Sequence, residues 1–156
     1  MECAGLLALL FRLPERFGIP DLLYYEEIEP GTPGLEALGL EVMEVQGEFV
    51  AWAQAMPARY AAVVAAQRGS PPGHNDYLAL ALAKQEDCTL LTGDASLRLV
   101  AELEAVPVMG TVGLLCGMVQ HALMSVDEAL LALERMKQGK RRLPWVEAVR
   151  RLEALR

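Results

Sequence analysis

The segment from His74 to Ala101, HNDYLALALAKQEDCTLLTGDASLRLVA, sets two aspartates, Asp76 and Asp94, at the two ends of one helix-to-strand hairpin. Leu78 to Ala83 is an unbroken apolar run of strong helix formers behind the breaker cluster Ser70, Pro71, Pro72, Gly73. That pattern predicts a buried helix from about Asn75 to Glu86. Cys88 to Thr92 reads as a short buried strand, followed by a helix from Ala95 to Leu103. A helix descending roughly 16 Å at ~1.5 Å per residue and a strand climbing back roughly 17 to 20 Å at ~3.3 Å per residue return Asp94 to the level of Asp76. That level is the carboxyl edge of the sheet, where open α/β sheets hold their ligands.

Each aspartate also suits a helix start. Asp76 falls in the first turn of its helix and Asp94 just before the next, where acids cap free N–H groups and oppose the dipole. Two of them at one edge, with Thr92 and Gly93 forming a tight strand-to-helix turn, also suit a site that gathers negative charge for a cation. Arg98, four residues after Asp94 and four before Glu102, is expected as a surface ion-pair partner.

Glu26, Glu27 and Glu29 close a short helix that begins near Pro20 and Asp21. The macrodipole disfavours anions there by ~0.3 to 1 kcal/mol each, and a purely structural choice would be lysine. Beyond the turn signals of Pro30 to Gly34, Leu40 to Val45 is read as a strand. Gly47 to about Gln67 is read as helical, with Pro57 marking a kink or a break. Val106 to Met109 is a further strand, leading into a helix with Leu114, Leu115, Met118, Val119 and Ala122 on its apolar face. Ser125-Val126-Asp127-Glu128 is a capping box opening a helix that Gly139 ends, and Pro144 stands at the first turn of the last helix. Repeated β-then-α order predicts an α/β fold of three layers, α/β/α, with a central, mainly parallel sheet.

A chain of 156 residues with 53% apolar content is long enough for one self-sufficient core, and residues 1–156 are expected to form a single domain. No run of 18 or more apolar residues is present and the N-terminus lacks signal-peptide features, so a cytoplasmic protein without a membrane span is expected. Cys3, Cys88 and Cys116 sit in apolar contexts and read as reduced, buried thiols. The net charge of −7 speaks against a simple nucleic-acid binder. It speaks less against a metal nuclease, whose carboxylates take up a cation that inverts the local field. Lys137, Lys140, Arg141 and Arg142, with Arg150, Arg151 and Arg156, read as solvated helix ends.

The string from Asn75 to Ala101, followed by Pro107-Val108-Met109-Gly110-Thr111 and a Leu-rich helix, resembles the C-terminal half of a PIN domain, the metal-dependent ribonuclease fold that includes the VapC-like toxins. In that family an acid opens the helix D-x-L-x-L-A-L-A, here Asp76 in DYLALALA, and another ends the strand in L-L-T-G-D, here Asp94. Pro20 to Ile28, PDLLYYEEI, is similar to the family's proline, helix and glutamate segment, which implies Glu27 as a site acid with Glu26 as its fallback. The resemblance implies a Mg²⁺- or Mn²⁺-dependent endoribonuclease hydrolysing RNA phosphodiesters, with Glu27, Asp76 and Asp94 as catalytic and metal-holding acids. Thr92 and Asn75 are expected to hydrogen-bond around them. It also implies an RNA substrate and an antitoxin protein as partner; a homodimer or higher oligomer is expected because, without the family's first strand, strand edges and apolar surface are left uncovered.

The family opens with an apolar strand ending in aspartate, whereas this chain opens on Met1-Glu2-Cys3-Ala4-Gly5-Leu6-Leu7. Cys3 to Leu13 reads as the helix that follows such a strand. Either the recorded start lies downstream of the true one, or the chain has lost a strand and one site acid; if it is complete as written, weak cleavage is expected, or a catalytically impaired PIN-like scaffold or antitoxin-binding module. A haloacid-dehalogenase-type phosphatase is the less favoured alternative, because its D-x-D nucleophile pair does not occur in this sequence.

Overall fold

A computed structural model describes residues 5–139 and 142–156, which fall into two compact units, Met1–Arg16 with Gly110–Arg156, and Phe17–Met109. In the first unit, α1 (Leu7–Leu10) is one turn of the helix expected over Cys3 to Leu13; Cys3 and Ala4 lie outside the described residues. The second unit runs β1 (Phe17–Pro20), α2 (Asp21–Leu23), a π-helical turn (Tyr24–Ile28), β2 (Leu40–Met43), α3 (Gly47–Arg59), α4 (Ala61–Ala65), α5 (His74–Gln85), β3 (Leu90–Leu91), α6 (Ala95–Leu103) and β4 (Val108–Met109). The chain then returns to the first unit with α7 (Thr111–Gln120), α8 (Val126–Gln138) and α9 (Trp145–Glu153).

The α/β class and the parallel strands agree with the sequence pattern. Among the described residues the strands pair in two parallel ladders, β1 with β2 and β3 with β4. β1 has no counterpart in the sequence reading, because Gly18 and Pro20 both argue against a strand. A Cβ at Gly18 would come 2.7 Å from Met43 Sδ on the paired strand, a contact that the flexible methionine end could relieve by moving. Pro20 ends the ladder opposite Met43, where the chain turns into α2.

α5 is the centre of the second unit. Tyr77, Leu78, Leu80, Ala81, Leu82 and Ala83 are all buried, so the helix is covered on nearly every side, as its apolar run predicts. α3 packs on it through Ala53 and Met56, spaced to lie on one helical face. Pro57 neither breaks nor ends α3; the helix continues to Arg59 and the interruption falls at Tyr60. Only the last turn follows Pro57, so little helix depends on the lost N–H. Cys116 is buried as expected, but Cys88 is exposed because it lies in the turn between α5 and β3, after the positive-φ residue Asp87.

Among helices α7 to α9, Leu115, Met118, Ala129, Leu133, Met136, Ala148 and Leu152 form the buried side. The capping box is formed as read: Glu128 N donates to Ser125 Oγ at 3.1 Å, and Ser125 N to Glu128 Oε2 at 2.7 Å. Lys140 and Arg141 lie outside the described residues. Arg150 pairs with Glu147, and Arg156 with Asp127 and Glu153.

Glu104, at the end of α6, ties this helix to α3 and α5. Its carboxylate accepts from the Tyr60 hydroxyl and from Lys84 Nζ at 3.3 Å, and lies 3.3 Å from Arg59. Lys84 also stands over the Trp52 ring. Burial pushes the Glu104 carboxyl up, but the hydrogen bonds from Tyr60 and Lys84 and the charges of Arg59 and Lys84 outweigh it and leave it below the usual carboxylate range. A folded-state value below the unfolded one contributes stability at higher pH that is lost as pH falls through the depressed value. The urea midpoint is therefore expected to drop on acidification below about pH 4.3, the ordinary glutamate value. Glu104→Gln is expected to flatten that drop; identical acid limbs for wild type and variant would exclude Glu104 as its source.

Candidate active site

Three segments supply the acids. The first follows β1, where α2 loosens into the π turn and Glu29 N donates to Tyr24 O at 2.8 Å, an i to i+5 bond. Such turns recur at functional sites. Here the turn carries Glu26 and Glu27, both exposed. The second is the first turn of α5, with Asn75, Asp76 and Tyr77. The third follows β3, where Thr92 and Gly93 turn the chain into α6 at Asp94.

Asn75 joins the first two segments. Its Nδ2 donates to Glu26 Oε2 at 2.9 Å and to Glu27 Oε1 at 2.7 Å. The sequence left a choice between the two glutamates, and the structure brings both to the same amide. Asn75 Oδ1 is buried with no hydrogen-bond partner among the described residues. A buried acceptor left in that state costs about 1–3 kcal/mol.

Both aspartates cap. Asp76 Oδ2 accepts from Gly73 N at 2.7 Å, and Asp94 Oδ1 accepts from Leu97 N at 2.7 Å. Asp94 N in turn donates to Thr92 Oγ1 at 3.1 Å. Capping uses one oxygen of each carboxylate, so Asp76 Oδ1 and Asp94 Oδ2 have no donor among the described residues. Arg98 forms no ion pair among the described residues, contrary to its helical spacing. Asp94 turns one carboxylate oxygen to the backbone of Leu97 instead.

Tyr77 is a residue the sequence reading passed over. It is 2% exposed, and burial, followed by the charges of Asp94 and Asp76, pushes its phenol up. Both aspartates therefore act on one hydroxyl, which stays protonated at neutral pH. An aromatic residue directly after Asp76, in a helix otherwise built of Leu and Ala, was the available signal. Tyr77 also lines a shallow groove of about 330 Å³ with Pro57, Val64, Pro71 and Pro72.

The acids thus lie in a glutamate turn after one strand, at the opening of a buried helix, and after a later strand. A family model for the PIN domain matches residues 1–155. The chain belongs to the PIN-domain family. No curated protein and no solved structure gives a significant match.

PIN domains generally use divalent metal ions. Among the described residues, no group of three or more His, Cys, Asp and Glu side chains is placed to hold one. This PIN domain shows one pair joined by a shared donor, Glu26 with Glu27 on Asn75, while Asp76 and Asp94 each accept a bond from the backbone of their own helix start. The donor chemistry fits a hard cation. All the candidate donors are oxygens, mostly carboxylate, and the buried Asn75 Oδ1 adds a further acceptor without a donor. No described helix is long and apolar enough to cross a membrane.

Proposed function

We propose that this PIN domain is a metal-dependent endoribonuclease resembling the VapC-like toxins, with Glu27, Asp76 and Asp94 holding Mg²⁺ or Mn²⁺. The observation that carries the reading is that Asn75 holds Glu26 and Glu27 at the helical turn that carries Asp76, with no ion pair to these acids among the described residues. When bound, the cation supplies positive charge against the RNA phosphodiester and acidifies water beside it.

The remaining work falls to the chain. Capping bonds from Gly73 and Leu97 hold one oxygen of Asp76 and of Asp94, which fixes the direction of the other. Thr92 pins the backbone of Asp94. Asn75 holds the glutamates toward α5. Tyr77, whose phenol burial and the charges of Asp94 and Asp76 push up, stays protonated. An antitoxin protein or a second copy of the chain as partner belongs to the same proposal, supported by Leu22 and Tyr25, apolar and exposed next to the glutamates.

A second reading, a PIN-like scaffold without hydrolytic activity, draws on the absence of a three-acid cluster among the described residues. Incubating the purified chain with end-labelled single-stranded RNA separates the two. Cleavage with Mn²⁺ or Mg²⁺ that stops on chelation is expected. Intact RNA under all conditions selects the scaffold, and cleavage that persists in chelator removes the metal from the mechanism.

A further inference from the structure

We propose that Asn75 is the positioning residue of this acid site, gathering Glu26 and Glu27 into one shared donor pair; the proposal rests on the metal-site reading above. The two hydrogen bonds, 2.9 Å and 2.7 Å, span 49 and 48 positions of sequence and join the π turn to α5. They are the contacts that bring exposed glutamates to the helix carrying Asp76.

The orientation of the carboxamide follows from electrostatics. Nitrogen and oxygen of an asparagine look alike in shape, and the hydrogen-bond network decides between them. Rotating the group would place Oδ1 against two carboxylates. The orientation that faces them with Nδ2 leaves Oδ1 buried without a donor, and that cost is the lesser one. The chemistry of the donor matters as well. A lysine or arginine at position 75 would gather the same glutamates and cancel their charge, whereas a neutral amide draws them together and leaves the full negative charge for a cation. The π turn complements this arrangement, since its extra residue changes the angle between successive side chains so that neighbours 26 and 27 reach one nitrogen.

Mn²⁺ binding followed by electron paramagnetic resonance tests this without reference to cleavage. Asn75→Ala is expected to weaken Mn²⁺ binding by about tenfold or more, the range for residues that orient metal ligands. Asn75→Gln, which restores the amide donor, is expected to recover most of it. Adding Glu26→Gln to Asn75→Ala is expected to cost less than Glu26→Gln costs alone. Wild-type affinity in Asn75→Ala, while Asp94→Asn binds weakly, would overturn the role of Asn75 and leave the metal site standing. Equal weakness in the Gln and Ala variants would also overturn it, and absence of Mn²⁺ binding by the wild type would overturn both readings. A measurement on the wild-type chain needs no substitution at position 75: the Asn75 side-chain amide protons are expected to exchange slowly and to shift on Mg²⁺ addition. Fast exchange would contradict the clamp.

Discussion

Asp94→Asn is expected to leave the fold intact and to remove metal-dependent RNA cleavage. Asp94 does two things at once. It caps α6 through Leu97 N, and its second carboxylate oxygen has no donor among the described residues, while its charge helps to raise the Tyr77 phenol. Asparagine caps a helix about as well as aspartate, so the N-cap bond survives and stability changes little. What disappears is the negative charge. Removing a residue that merely orients a metal ligand costs roughly 10–100-fold, and loss of a charged ligand is expected to exceed that range. Asp94→Ala adds the loss of the cap, about 0.5–2 kcal/mol. Cleavage rates and melting curves on both variants separate the two roles. Undiminished cleavage by Asp94→Asn would assign the residue to capping alone.

The largest loss of stability is expected at Leu80. It is 0% exposed, at the middle of α5, among the residues that pack this helix against α3 and α6. Leu80→Ala removes three buried carbon positions and leaves a cavity whose walls are other buried side chains. Such changes cost about 2–5 kcal/mol, against a total of roughly 5–15 kcal/mol for a typical protein. The melting midpoint is expected to fall by about 2–4 °C for each kcal/mol in a chain of this size. Leu103→Ala is the control, because Leu103 is 54% exposed and the change there is expected to stay within about 0.5 kcal/mol. Equal urea midpoints for the two variants would show that α5 is not the centre of the core. The outcome also bears on the site, since α5 carries Asn75, Asp76 and Tyr77 in its first turn.

Much of the second unit was legible because its signals are local. The Leu/Ala run needs burial on all sides and gives α5 within one residue at each end. The Thr-Gly-Asp turn gives α6 at its observed limits, Ala95–Leu103. Ser125 and Glu128 announce α8 because each partner lies within reach of the other along the chain. β1 was not legible: Gly18 and Pro20 disfavour a strand, and its pairing partner, β2, lies more than twenty residues further on. The exposure of Cys88 was hidden by its apolar neighbour Leu90, which is buried while Cys88 sits in the turn before it.

The candidate site divides along the same line. Asp76 and Asp94 could be named from sequence because each belongs to a helix start, although the strand read over Cys88 to Thr92 is observed only as Leu90–Leu91. The effect of both carboxylates on the Tyr77 hydroxyl could not, because it depends on how α5 and the turn before α6 pack. Sequence alone determined the kinds of group available: carboxylates at strand ends, a carboxamide at a helix start, and no nucleophile pair of the D-x-D type. Only the tertiary structure decided that Glu26 and Glu27 both belong with Asn75. That choice depends on a π turn and on contacts across 48 and 49 residues, and hydrogen-bond geometry at such separation is set by how β1 and α5 pack, which residue order does not encode locally.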